Sequence, residues 1–221
     1  MEKIEKVLDR FGLKKYQVGL YAIIVLVNMP VYYVGRLLTM NRNHTNLTTA
    51  FDDRIPLIPA MIIVYWGCYI YWVISYLIAL SQDYETAKKF AIAEIAGKIV
   101  CFVIFMVFPT TMTRPEITGT DVFSQLMKFL YFVDMPDMLF PSIHCYVSWM
   151  CYLGVKDMPN LKRKWKILIL LIAVLVCIST VTCKQHVVYD IFGGVLLAEI
   201  SYRIVFSRKR WDLFKRKSSE S

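Results

Sequence analysis

Six stretches of this chain are apolar for about as long as a helix needs to cross a bilayer, and polar or charged segments separate them. The runs lie at about Gln17 to Met40, Ile55 to Leu80, Lys89 to Thr111, Phe140 to Val155, Trp165 to Thr182 and Val187 to Phe206. Each approaches the roughly 20 residues that span a hydrocarbon core, although the fourth is short unless it continues through Gly154 toward Met158. Between the third and fourth runs, Val122, Phe123, Leu126, Phe129, Leu130 and Val133 recur at helical spacing, which predicts a short helix lying in the membrane interface. The pattern therefore predicts an all-α fold, a six-transmembrane helical bundle with a short interfacial helix in the third external loop. Neither an internal repeat nor a Pro/Gly/Ser-rich linker divides the chain, so residues 1–221 read as one membrane-embedded domain.

Charge orients the bundle. An even number of spans puts both termini on one side, and the loops of that side, with the two tails, hold eighteen Lys and Arg residues against six on the other. Basic residues accumulate on the cytoplasmic side, so both termini are expected there. Residues 1–16 read as a cytoplasmic amphipathic segment without a small-residue cleavage site, and residues 207–221 as a basic cytoplasmic tail.

Composition agrees with this reading and narrows the function. The chain is 57% hydrophobic and 14% aromatic, with a mean hydropathy of +0.48, the profile of a polytopic membrane protein. Its net charge of +9 comes mostly from short juxtamembrane clusters that attract anionic headgroups, so no nucleic-acid partner is called for. Of the cysteines, Cys68, Cys101, Cys145, Cys151 and Cys177 fall inside spans and Cys183 at a span end, without metal-ligand spacing, which reads as packing rather than a disulfide framework or zinc site. Glu94 with Lys98, and Glu199 with Arg203, are four apart and read as internal or snorkelling ion pairs. Two glycosylation-type triplets, at Asn43 and Asn46, lie in the first external loop.

The candidate chemistry collects at the outer ends of the later spans. His186 and Asp190 are four residues apart at the mouth of an apolar segment, within reach of each other on one face if a helix includes both. A carboxylate beside an imidazole fixes its tautomer and strengthens it as a base or nucleophile. Pro141 and Ser142 form a helix-start signal that puts His144 in the first turn of the fourth span, where unpaired N–H groups favour an anion. Arg114 follows the third span, and Lys184 precedes His186. The topology thus brings two of the chain's three histidines to one depth with cations suited to a phosphate. One histidine can attack while the other protonates the departing oxygen.

Arg114-Pro115, then Pro141-Ser142-x-His144, then Ser179 with His186 seven residues on and Asp190 four after that, resemble the three signature motifs of the type 2 phosphatidic acid phosphatase superfamily. The resemblance implies a metal-independent phosphomonoesterase or pyrophosphatase acting on a lipid phosphate, with no cofactor. It implies that His186 is the nucleophile, that Asp190 orients it, and that His144 is the general acid and later the base. Arg114 and Ser142 would hold the phosphoryl oxygens, with Ser179 a weaker member of the set. Two of the family's customary cations are missing, because Val107 and Thr180 stand at their positions; Lys184 would restore one if its segment is extended. The alternatives are a lipid headgroup phosphotransferase using the same His, His and Asp, as relatives that make sphingolipid headgroups do, and a non-catalytic membrane scaffold. Phosphatidic acid, phosphatidylglycerol phosphate, undecaprenyl pyrophosphate and sphingoid phosphates all remain open as substrates.

Overall fold

A computed structural model describes residues 12–207. The amphipathic segment expected over residues 1–16 and the basic tail over 207–221 lie largely outside them. The main helices are α1 (Lys15–Thr39), α3 (Ile62–Leu80), α4 (Tyr84–Val107), α5 (Val122–Val133), α6 (Ile143–Lys156), α7 (Arg163–Thr182) and α8 (Val188–Phe206). A short α2 (Ala50–Arg54), a 3-10 turn (Pro59–Met61) and two tiny strands, β1 (Thr45–Asn46) and β2 (Thr110–Thr111), complete the connecting loops. The strands pair in parallel, Thr45 with Thr110 and Asn46 with Thr111, tying the loop after α1 to the loop after α4.

The chain is all-helical, with each predicted run containing one helix, and it is an integral membrane protein. Four helices, Lys15–Thr39, Pro59–Leu80, Tyr84–Val107 and Arg163–Thr182, are long and apolar enough to cross a membrane. The other two depart from that pattern for different reasons. Helix α6 has 14 residues, about 21 Å of rise, while α8 carries Asp190, Glu199 and Arg203.

Helix α6 is the centre of the packing. It contacts α3, α4, α7 and α8, and Cys145, Tyr146, Val147, Met150, Cys151, Leu153 and Val155 are all buried. A helix enclosed on every side has no need of an amphipathic stripe, which is why its sequence is apolar almost throughout. Its partner α8 approaches closely through Gly193 and Gly194. A Cβ on Gly194 would lie 2.5 Å from the Ser142 carbonyl oxygen, and one on Gly193 would lie 2.5 Å from the Phe140 ring. These two glycines let the start of α8 sit against the start of α6, so that Ser142 N–H donates to the Asp190 carbonyl at 3.1 Å.

Helix α5 occupies Val122–Val133, opened by Asp121, whose carboxylate accepts from Phe123 N–H at 3.0 Å and Ser124 N–H at 3.2 Å. Ser124, Met127 and Leu130 are buried, the last two against Ile62, Tyr65 and Cys183 among others, whereas Val122, Phe129, Phe132 and Val133 are exposed.

Glu94 and Lys98 form a 2.9 Å ion pair buried within the bundle, while Arg203 in the 2.8 Å pair with Glu199 is exposed.

Candidate active site

His186 lies one residue before the N-cap of α8, outside the helix. Its approach to Asp190 is therefore not the same-face spacing of two helical residues. Asp190 folds back over the helix start, so that one oxygen, Oδ2, accepts from Val187 N–H at 3.0 Å and meets His186 Nδ1 at 3.1 Å. A carboxylate in the first turn also faces the positive end of the helix dipole. Asp190 is fully buried, and His186 is 8% exposed. Burial alone would lower the His186 pKa, but the hydrogen bond to Asp190 and its charge outweigh burial and leave the imidazole raised above its ordinary value. With Nδ1 on Asp190, Nε2 is the nitrogen left for chemistry.

Helix α6 starts as the sequence signal requires. Ser142 is its N-cap and accepts from Cys145 N–H at 3.3 Å, which fixes His144 in the first turn. The His144 ring stacks on Tyr65, with centroids 4.5 Å apart, and lies 5.4 Å from Trp72 and 6.1 Å from Tyr69. Its Nε2 is buried without a hydrogen-bond partner among the described residues. The His144 and His186 ring centroids are 5.9 Å apart. Both line a cavity of about 410 Å³.

The other predicted residues stand outside that lining. Arg114 distributes its guanidinium over the turn before His186: Nε donates to the Lys184 carbonyl at 3.1 Å, Nη1 to the Asp134 carbonyl at 2.6 Å and Nη2 to Gln185 Oε1 at 2.5 Å. Its face lies over the Tyr131 ring, 4.7 Å from the centroid. Burial lowers the Arg114 pKa and Asp134 opposes the shift, and a guanidinium keeps its charge under such conditions.

Lys184 is not on an extended segment. Its φ is +52°, and Nζ donates to the Asp52 carbonyl at 2.6 Å. Burial lowers its pKa, while Asp52 and Asp53 raise it. The buried Ser142 hydroxyl is occupied with its cap, and Ser179 Oγ donates back to the Val176 carbonyl at 2.7 Å.

These contacts clamp the segment that presents His186. Asp52 Oδ1 accepts from Val188 N–H at 2.8 Å, Tyr131 donates to the Cys183 carbonyl at 3.2 Å, and Gln185 and His186 N–H both donate to the Thr180 carbonyl.

Several cavity residues were not singled out from sequence. Gln185 is 2% exposed, with Oε1 on Arg114 and a buried Nε2 that has no partner among the described residues. Asp134 accepts from the Tyr32 hydroxyl at 2.8 Å and the Tyr65 hydroxyl at 3.5 Å. Arg36 pairs with Asp137 at 3.3 Å. Tyr65, Tyr69 and Trp72 fall at i, i+4 and i+7 along α3, a stripe legible in the sequence.

A helical membrane protein that sets two imidazoles around one cavity and braces one of them with a buried carboxylate has the makings of a membrane enzyme that transfers phosphoryl groups. The chain belongs to the PAP2 superfamily, whose description matches residues 90–212, more than half of its length. Members are phosphatases or phosphotransferases, and the protein has a membrane phosphatase-type function. The matched segment contains Arg114, Asp134, Ser142, His144, Gln185, His186 and Asp190, while Arg36 and the α3 aromatic stripe lie before it. The search of curated proteins gave no match.

Proposed function

We propose that this protein is a lipid phosphate phosphatase that works through a phosphohistidine intermediate at the extracytoplasmic face. The reading includes six spans in one domain, with both termini cytoplasmic and α5 lying in the interface. The observation that carries it is the juxtaposition of His144 and His186 in one cavity, 5.9 Å between ring centroids, with Asp190 on the far nitrogen of His186 at 3.1 Å.

His186 Nε2 attacks phosphorus, forming an N–P bond as the P–O bond to the lipid breaks. His144 gives its proton to the departing alkoxide, its protonated form favoured by the bound phosphate charge. Neutral His144 then takes a proton from water as that water attacks phosphorus, and the N–P bond breaks to release phosphate. Asp190 stabilises the positive charge that the His186 ring acquires in the first step. The Gln185 amide N–H groups bind the phosphoryl oxygens, and Arg114 positions Gln185, filling a place left by the missing cations at Val107 and Thr180.

The test is phosphate release by purified protein in detergent with EDTA, over a panel of lipid monophosphates and pyrophosphates. Release by the wild type that His186→Ala and His144→Ala both abolish supports the reading. Unaltered release in His186→Ala contradicts it, and product formation only when an acceptor alcohol is added replaces it with a headgroup transferase.

A further inference from the structure

The turn that carries His186 is fastened to a residue that lies before the matched segment 90–212, in the loop between α1 and α3. Asp52 is 4% exposed and Lys184 7%, and burying either charge is costly unless polar partners replace water. Their charges attract, and each side chain reaches the main chain of the other's segment. Lys184 Nζ donates to the Asp52 carbonyl at 2.6 Å, and Asp52 Oδ1 accepts from Val188 N–H at 2.8 Å. Thr49, the N-cap of α2, aims the carboxylate by donating to Oδ2 from its N–H at 2.9 Å and its hydroxyl at 2.5 Å. Further along the loop, Ile58 N–H donates to the Thr182 carbonyl at 2.9 Å.

These fastenings straddle the nucleophile, since Lys184 and Val188 each stand two residues from His186. Lys184 has a φ of +52°, a left-handed conformation that a residue with a Cβ holds only where its surroundings impose it. At the start of α8, Val187 N–H donates to Asp190 Oδ2 and Val188 N–H to Asp52 Oδ1, so two carboxylates take successive N–H groups at the positive end of the helix. Asp190 in turn meets His186 Nδ1. Neither Asp52 nor Lys184 lines the cavity, so whatever they do for the reaction passes through His186.

We propose that Asp52 and Lys184 are positioning residues, a latch that holds the turn before α8 and sets the direction of the His186 imidazole. The inference rests on the proposed phosphoryl transfer, and it gives Lys184 a role other than binding phosphate. A nucleophile misplaced by about 1 Å loses on the order of 10²-fold in rate, so the latch acts on kcat, whereas a phosphate ligand acts on KM.

The experiment measures kcat, KM and melting temperature in detergent micelles. Its probe is dioleoyl phosphatidate, or the member of the lipid phosphate panel, acceptor alcohol included, that the wild type turns over faster. Asp52→Ala should lower kcat by about 10²-fold and Lys184→Met by about tenfold, with KM within about twofold of the wild type. Asp52→Asn keeps an oxygen for Val188 N–H and should recover most of kcat; with Lys184→Met it carries the test should Asp52→Ala fail to fold. Leu80→Ala, at the end of α3 away from Tyr65, lowers stability through a core cavity and should leave kcat unchanged. In an Asp190→Asn background, Asp52→Ala should cost less than about threefold, because the contact it supports is already gone.

A Lys184→Met protein with raised KM and wild-type kcat overturns the proposal, as do kcat losses that Leu80→Ala reproduces or that multiply in full with Asp190→Asn. Turnover by the wild type that every latch variant shares overturns the latch alone. Absence of turnover by the wild type on the whole panel overturns the phosphoryl-transfer reading and the latch with it.

Discussion

Arg114 Nη2 donates to Gln185 Oε1 at 2.5 Å, and this single contact decides which way the amide faces. A guanidinium has no acceptor, so the oxygen of Gln185 must be the atom turned toward it. The nitrogen is then directed elsewhere, buried and unpartnered among the described residues on a side chain that lines the cavity. An amide held in this way needs no reorganisation when charge develops on a phosphoryl oxygen.

Gln185→Glu tests that role. The carboxylate keeps the contact with Arg114 but has no N–H and adds negative charge beside the phosphate. We expect kcat to fall by a factor on the order of 10² to 10³ with an unchanged melting temperature. Wild-type kcat in this variant would assign Gln185 to packing alone.

The Asp190 contact predicts a pH dependence. His186 attacks as the neutral ring, so its raised pKa places the acid limb of kcat/KM above the ordinary imidazole value of 6.5. In Asp190→Asn the two largest raising interactions are lost, so the limb moves to lower pH while kcat drops by a factor on the order of 10² to 10⁴. Because the folded pKa is raised, protonated His186 adds stability that is fully present below pH 6.5 and is lost as pH rises through the folded value. Melting curves should therefore show a wild-type advantage over Asp190→Asn that shrinks with rising pH in that window. An acid limb at the same pH in both proteins would contradict the assignment.

Gly194→Ala should separate α8 from α6, because the added Cβ meets the Ser142 backbone oxygen at 2.5 Å. Overpacking of this kind costs about 1–3 kcal/mol, and the separation moves His186 away from His144. A lower melting temperature together with lost phosphate release is expected. Wild-type values for both would show that the helices yield at this point without consequence.

Local signals in the sequence told most about the parts of the site that are locally built. The Pro141-Ser142 start of α6 and the bounds of α5 depend on neighbours a few residues away, and both were legible. The His186 to Asp190 contact was legible as a pair but for a different reason, since it arises from capping rather than from a shared helical face. The contacts of Arg114 and Lys184 were less so. The partners of Arg114 and Lys184 lie far off in the chain, as Lys184 to Asp52 shows, and periodicity says nothing about where a loop side chain ends up. The positive φ at Lys184 undid the extended geometry that would have turned it toward His186. Asp134 stayed hidden for the same reason, because Tyr32 reaches it from a helix about a hundred positions earlier.

The most direct test of the central claim is to trap the intermediate. His144→Ala protein is mixed with a phosphate ester whose leaving group needs no protonation, quenched in alkali, where phosphohistidine survives, and mapped by mass spectrometry. The account predicts one phosphate, stable in alkali and labile in acid, on residue 186, and none in His186→Ala. Phosphate on any other residue, or turnover by the wild type with His186→Ala equally active, would contradict it.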